Sequence, residues 1–250
     1  MKIKVLGCSG AEFPGHNLPS FLLDGRILFD AGSITNYLDE KNQLRVENIF
    51  ITHSHLDHVK GIPFLLDNVT IRNRQHKVNV FSISPIIKAI KKNLLNSLVW
   101  PDFARKGIIK LREIRAGQSV KIGDYTISPV RVNHSVPAVG YLVEDKKKRR
   151  FFYTGDTGPS AETWKSLEGK EIHCLIIEVT FPNRMEETAL KTGHLTPRLL
   201  KKELLKMKPA PKRIYVTHAK PQYLRAINLE LRRLRINNLR LLRDGELITL

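Results

Sequence analysis

The run His53-Ser54-His55-Leu56-Asp57-His58 places four potential metal ligands within six residues, directly after the apolar Ile49-Phe50-Ile51. Imidazole and carboxylate suit zinc and similar divalent ions. Alternate residues of a strand share a face, so His53 and His55 at a strand end can bind one ion. Asp57 and His58, past the turn, point elsewhere and can serve a second. Three of the chain's nine His fall in this stretch, too many for a polar loop that is His-rich by chance.

Strand-like runs fall at 2–7, 20–23, 26–30, 48–52, 78–83, 109–115, 120–122 and 125–132, then at 138–143, 151–154, 173–179, 213–217, 239–242 and 246–249. Asp24-Gly25 reads as a tight hairpin turn between the second and third. Helical periodicity is expected at 33–40, 85–97, 160–168, 196–207 and 221–235. Thr196-Pro197 starts one of these with a capping residue and Pro at the first helical position.

The pattern H-x-H-x-D-H resembles the signature of the metallo-β-lactamase superfamily. The resemblance implies an αββα sandwich: α/β, two mixed sheets packed face to face with helices outside and ligands along one edge. It also calls for three further ligands at later strand ends. The chain offers His134 after Tyr125 to Val132, Asp156 in Phe151-Phe-Tyr-Thr-Gly-Asp156, and His218 in Arg213-Ile-Tyr-Val-Thr-His218. By that resemblance His53, His55 and His134 hold the first metal. Asp57, His58 and His218 hold the second, and Asp156 bridges them. One site drawing on positions 53 to 218 argues for a single domain over 1–250, and no linker or repeat divides the chain.

Two cations ~3.5–4 Å apart can share a bridging hydroxide and clamp an in-line displacement. Asp57 can also orient the nucleophile or accept its proton. A leaving oxygen still needs a proton. The candidate donor is His194 in Gly193-His194-Leu-Thr-Pro197, with Glu178 in Ile176-Ile-Glu178-Val-Thr-Phe181 as its support. A Glu–His pair holds the imidazole tautomer and raises its pKa, as general acid catalysis wants.

Composition narrows the substrate. The net charge is +18, and residues 197–246 carry 14 Lys/Arg against 4 Asp/Glu. Lys146-Lys-Lys-Arg-Arg150 is a second cluster. Such a field attracts phosphorylated substrates, nucleic acid or acidic surfaces, although a charged helix face or hairpin tip can also be a solvated surface. Two cysteines, Cys8 and Cys174, make no disulfide framework. Without a leader or a long apolar run, the expectation is a cytoplasmic protein with no membrane segment. The loop Gly7 to Pro19 either offers backbone N–H groups to a phosphate or is a structural turn, with His16 as a candidate substrate contact.

Within the superfamily, two branches resemble the chain further. The run from His53 to Ile62, with Leu56, Gly61 and Ile62, is similar to the class II cyclic-nucleotide phosphodiesterases, as is His194-Leu-Thr-Pro197; Pro63-Phe64-Leu65 departs from that pattern. Ribonuclease Z, the tRNA 3′-processing endonuclease, shares the Glu-x-Thr-Phe stretch at 178–181 and the His before the late helix, here His194. It usually has Gly at the place of Leu56, and commonly a long tRNA-clasping arm where only 21 residues separate His134 from Asp156. The resemblance thus implies a phosphodiesterase hydrolysing a 3',5'-cyclic nucleotide, a homo-oligomer with two divalent ions, zinc first and manganese or iron acceptable. A ribonuclease Z-like enzyme acting on tRNA precursors is the alternative. A non-catalytic, metal-stabilised domain that binds nucleic acid is a third, opposed by the complete ligand set. True β-lactamases are usually exported, thiolester hydrolases do not call for the Glu178–His194 pair, and the nucleases with a large inserted cap need a longer chain.

Overall fold

Alternation of apolar side chains decides the architecture. In Cys174-Leu-Ile-Ile-Glu178, Cys174 and Ile176 join one buried cluster while Leu175 and Ile177 join another. Period-two exposure to two different apolar layers requires a sheet covered on both faces. The computed structural model, which describes residues 1–250 except Arg74 and Ala116, shows two such sheets.

The first sheet contains β1 (Lys2–Gly7), β2 (Ser20–Leu23), β3 (Ile27–Phe29), β4 (Asn48–Phe50), β5 (Val78–Ser82) and β6 (Ile109–Glu113). The second contains β7 (Val120–Ile122), β8 (Tyr125–Arg131), β9 (Val139–Asp145), β10 (Arg150–Tyr153), β11 (Cys174–Glu178), β12 (Ile214–Thr217) and β13 (Leu239–Leu241). The last strand, β14 (Leu247–Thr249), returns to pair antiparallel with β1, so the first sheet runs β14-β1-β2-β3-β4-β5-β6. Each sheet is mixed. Antiparallel pairs run from β14 to β3 and from β7 to β10. Parallel pairs run from β3 to β6 and from β10 to β13.

The sheets meet through aromatic side chains. Phe29 packs edge-on against Phe151 with ring centroids 5.4 Å apart, and Phe21 lies 4.8 Å from Tyr153. Helices cover the outer faces. Against the first sheet lie α1 (Glu40–Gln43), α2 (Leu56–Val59), α3 (Gly61–Arg72) and α4 (Ser84–Ala89), the last continued by a π turn over Ile90–Leu94. Against the second lie α5 (Ala161–Ser166), α6 (Glu186–Thr192), α7 (Pro197–Leu204) and α8 (Leu224–Arg233). Thr196 caps α7 by accepting from Leu199 N–H, with Pro197 at the first position. No helix among the described residues is long and apolar enough to cross a membrane.

The expected αββα sandwich is therefore the fold, and all the expected strands are present with ends shifted by a residue or two. The helical expectation at 33–40 is wrong. Those residues form turns, and Ile34 and Leu38 are buried as loop side chains beneath α3. A helix begins only at Glu40, where Asp39 accepts from Asn42 N–H. Three helices were not anticipated: α2, α3 and α6. In α3 the side chains of Ile62, Leu65, Leu66 and Val69 are buried on the first sheet, and Pro63 sits in the first turn, where its missing N–H costs nothing.

Candidate active site

Parallel strands end together, so their following residues share one rim of the sandwich. On that rim lie Asp30 after β3, the His53–His58 run after β4, and His134 after β8. Asp156 follows β10, Glu178 ends β11, and His218 follows β12. Two backbone features permit this crowding. Gly155, at φ +60°, stands where a Cβ would meet the Thr52 side chain at 2.6 Å. Asp30 and His218 hold left-handed backbone at φ 55° and 64°, which costs a non-glycine residue roughly 1–2 kcal/mol. Tertiary contacts impose both: His218 N–H donates to Cys8 O at 2.7 Å, and the Asp30 carboxylate is fully enclosed.

Three groups of potential ligands form, each with its donor atoms within 4.8 Å of one another; the third, Glu178, His194 and His218, overlaps the second through His218. His53, His55, His134 and Asp156 make the first; Asp57, His58, Asp156 and His218 make the second. Asp156 belongs to both. In the first group His53 Nε2 lies 3.0 Å and His134 Nε2 3.3 Å from His55 Nδ1, and Asp156 Oδ2 lies 3.7 Å from His53 Nε2. In the second, His218 Nε2 lies 3.3 Å from both Asp57 Oδ2 and Asp156 Oδ2, and His58 Nε2 lies 3.4 Å from Asp156 Oδ1. The edges of a tetrahedron around a zinc ion with ligands at ~2.1 Å are ~3.4 Å long. The spacings therefore suit a cation at the centre of each of these two groups. His58 Nε2 adds a direct sign: it is buried and has no hydrogen-bond partner.

The outer nitrogens fix the tautomers. His134 Nδ1–H donates to Gly193 O at 2.9 Å, and His58 Nδ1–H donates to Asp30 Oδ2 at 2.7 Å. Thr52 Oγ1–H donates to Asp30, so it accepts from His53 Nδ1–H at 3.0 Å. Thr180 Oγ1–H donates to Glu178 Oε2 at 2.8 Å, so it accepts from His218 Nδ1–H, also at 2.8 Å. The four Nε2 lone pairs are thereby turned inward.

Electrostatics separates the groups. Burial, then the charge of His58, keeps His53 well below the usual histidine range. Burial also lowers His55 and His134, so all three are ready to donate lone pairs. Burial works against the Asp57 and Asp156 carboxylates, but His218 and His58 outweigh it and hold both below the usual range. Burial would lower His58 too; Asp156 and Asp30 outweigh it and raise its pKa.

His194 belongs to neither of the first two groups and is stacked on His218 with centroids 5.5 Å apart and 5.1 Å from His134. Its Nδ1–H donates to Glu178 Oε1 at 2.6 Å. Burial would lower this imidazole, but Glu178 outweighs it and raises the pKa to about 9. Glu178 is enclosed and fully engaged: it also accepts from Thr157 N–H at 3.0 Å and Leu195 N–H at 3.2 Å. Gly193, at φ +70°, ends α6 and turns the chain so that His194 follows; a Cβ there would meet Ser135 N at 2.9 Å.

Two features differ from the sequence reading. The Gly7–Pro19 loop uses its N–H groups internally: Cys8 and Asn17 donate to the Asp244 carboxylate at 3.0 and 2.8 Å, Ser9 to Asn17 O, and Gly10 to Ala219 O. It is a structural turn at those positions. His16 is held in it, 3.4 Å from Ser9 Oγ, and belongs to none of the ligand groups. Asp30, Thr52 and Thr180 were missed. The only signal for Asp30 is an acidic residue directly after the apolar β3, ahead of Gly32.

A family model described as a β-lactamase superfamily domain matches residues 26–219. A ribonuclease Z of Methanococcus maripaludis strain C5 is 35% identical, over 78% of this chain and 79% of its own length. A 3',5'-cyclic-nucleotide phosphodiesterase of Aliivibrio fischeri is 28% identical, over 80% and 73%. The fold is that of unliganded yeast PDE1, with a TM-score of 0.85 at 18% identity, covering 100% of this chain and 99% of that one. With a family match over most of its length and the two ligand groups on one rim, the chain belongs to the metallo-β-lactamase superfamily of hydrolases, among relatives named ribonuclease Z and cyclic-nucleotide phosphodiesterase.

Proposed function

We propose that this protein is a metal-dependent phosphodiesterase whose substrate is a 3',5'-cyclic nucleotide, with His194 as the general acid. The observation that carries the proposal is the Glu178–His194 pair, held 2.6 Å apart beside both ligand groups, where the carboxylate raises the imidazole pKa. Hydrolysis of a phosphodiester frees an alkoxide, and a proton must reach it.

In this reading His53, His55 and His134 would hold one divalent cation, zinc in the first instance. Asp57, His58 and His218 would hold the other, with Asp156 available to both. The cations would lower the pKa of bound water and neutralise charge on the phosphate. Asp57, about a quarter exposed, orients the nucleophile or accepts its proton. His194 Nε2 delivers a proton to the departing oxygen while Nδ1–H remains on Glu178. His134 lines a cavity of about 480 Å³, and a second of about 920 Å³ shares Ile83 and Arg131 with it, room for a nucleotide next to the rim.

A small substrate agrees with the hairpin between His134 and Asp156. Four of the five cations of its basic tip are paired: Lys146 with Asp124, Lys148 and Arg150 with Glu144, and Arg149 with Asp145. The similarity to ribonuclease Z sequences favours the second reading, an endonuclease acting on tRNA precursors. The deciding experiment compares purified, metal-loaded protein on cyclic AMP, cyclic GMP and a tRNA precursor. Hydrolysis of a cyclic nucleotide is expected. Cleavage of the precursor with no cyclic-nucleotide turnover would reverse the assignment.

A further inference from the structure

The basic excess of the C-terminal fifth is gathered in one place. Between α8 and β13, at the open edge of the second sheet, lies a cavity of about 790 Å³. Five arginines line it: Arg225, Arg232 and Arg235 from α8 and its end, and Arg240 and Arg243 from β13 and the turn after it. No lysine does, and the one acidic lining residue, Glu246, pairs with Arg240. Among the described residues the other four have no carboxylate partner within ion-pair distance. This contrasts with the 146–150 tip, where Lys146, Lys148, Arg149 and Arg150 each have one. Leu231 and Leu242 form a buried floor on which arginine stems can lie.

Arginine rather than lysine, on two facing walls, is the composition that recognises phosphate. The planar fork donates two parallel hydrogen bonds, and one phosphate can take two such forks. Arg225 and Arg232 are seven residues apart on one helix, so their Cα atoms are ~10 Å apart along its axis. The four guanidiniums without a carboxylate partner, Arg225, Arg232, Arg235 and Arg243, exceed what one phosphate can engage. The lining contains no aromatic ring on which a base could stack, so the groove can engage a nucleic acid only through its backbone phosphates. It contains none of the metal-ligand residues, yet its upper end borders the active-site rim. Asp244, next to Arg243, binds the N–H of Cys8, whose carbonyl accepts from His218 N–H.

We infer that the α8–β13 groove is a second, non-catalytic binding site for the phosphate backbone of a nucleic acid strand. The test is an anisotropy titration of the full-length protein with a labelled single-stranded RNA of about 15 nucleotides. It compares the parent with Arg225→Ala/Arg232→Ala/Arg235→Ala over a range of salt. If the groove holds the strand, the triple variant binds at least tenfold more weakly at low salt, and its salt slope falls by about 0.7 per lost contact, roughly 2 in all. Arg→Lys at the same three positions should restore most of the slope, since charge is kept. Turnover of bis(p-nitrophenyl) phosphate should be unchanged in both variants, showing an intact fold. Equal RNA affinity and slope in parent and Ala variant would overturn the inference. So would failure of RNA to bind the parent while ATP binds it and is lost in the variant, which would make the groove a free-nucleotide site.

Discussion

Glu178→Gln tests the proton donor most directly, because it removes one charge and leaves the shape. The carboxylate accepts four hydrogen bonds, two at each oxygen, from His194, Thr157, Thr180 and Leu195. An amide has one accepting oxygen, so two of the four donors lose their partner whichever way it turns. Loss of the charge acts on His194. The gap between its value of about 9 and the ordinary 6.5 corresponds to about 3 kcal/mol favouring the protonated ring. In the variant burial acts unopposed by Glu178, and the pKa falls to 6.5 or lower. At pH 8 the protonated fraction drops by about 30-fold or more.

The assay is kcat against pH on the cyclic nucleotide. The parent should hold its rate up to an alkaline limb near pH 9, and the variant should lose it near or below pH 6.5. Cations on the neighbouring carboxylates lower both limbs, so the separation between them is the quantity to read. Stability follows the same sign. His194 is raised in the folded state, so its contribution is complete below pH 6.5 and is lost as pH rises through about 9. The melting-temperature advantage of the parent over Glu178→Gln should therefore shrink across that window. Coincident alkaline limbs in parent and variant would refute the assignment of His194 as the acid held by Glu178.

The other expectations follow from single contacts. His194→Ala should slow cyclic-nucleotide cleavage by about two to four powers of ten with metal content intact, while bis(p-nitrophenyl) phosphate, whose leaving group needs no proton, is far less affected; equal losses would leave His194 a structural residue. Asp156→Ala should lose more metal than any single His variant, as elemental analysis would show, because its carboxylate belongs to both groups. Asp30→Asn should weaken the second cation by about 10–100-fold, read by metal titration, since it disturbs the acceptor of His58 Nδ1–H. Neutralising Lys147, Lys148 and Arg149 together should leave saturated turnover of a cyclic nucleotide nearly unchanged; a large defect confined to RNA would favour the endonuclease reading.

The strands were legible because each is short, apolar and alternating, and the sheet requires that pattern of each separately. The ligand positions were legible for a related reason: a donor placed at the end of a strand can be read from the strand. Helices were harder. Gly61, Pro63 and Thr70 weaken the signal of α3, and burial of its apolar face decides its conformation. Ile34 and Leu38 carry helical spacing, but they fill the same layer from a loop. Asp30 and Thr180 escaped because their roles lie in hydrogen bonds to residues more than 20 and more than 10 positions away. An Asp or Thr after a strand ordinarily reads as a turn.

Charge shows the limit of sequence reading most clearly. The 146–150 cluster and the arginines of 225–243 look alike in the chain: both are basic, and both lie near acidic residues. What separates them is register. Pairing of β8 with β9 sets Tyr125 opposite Asp145, and the next hairpin folds the tip back onto Glu144 and Asp145, which precede it. In α8 the acidic Glu230 turns the other way and accepts from Asn183 N–H, so it does not reach the arginines beside it. Four of the five cations of one cluster are paired with carboxylates, and the other keeps its field because the helix directs its only carboxylate elsewhere. A ligand that depends on positive charge should thus respond more to the second cluster than to the first.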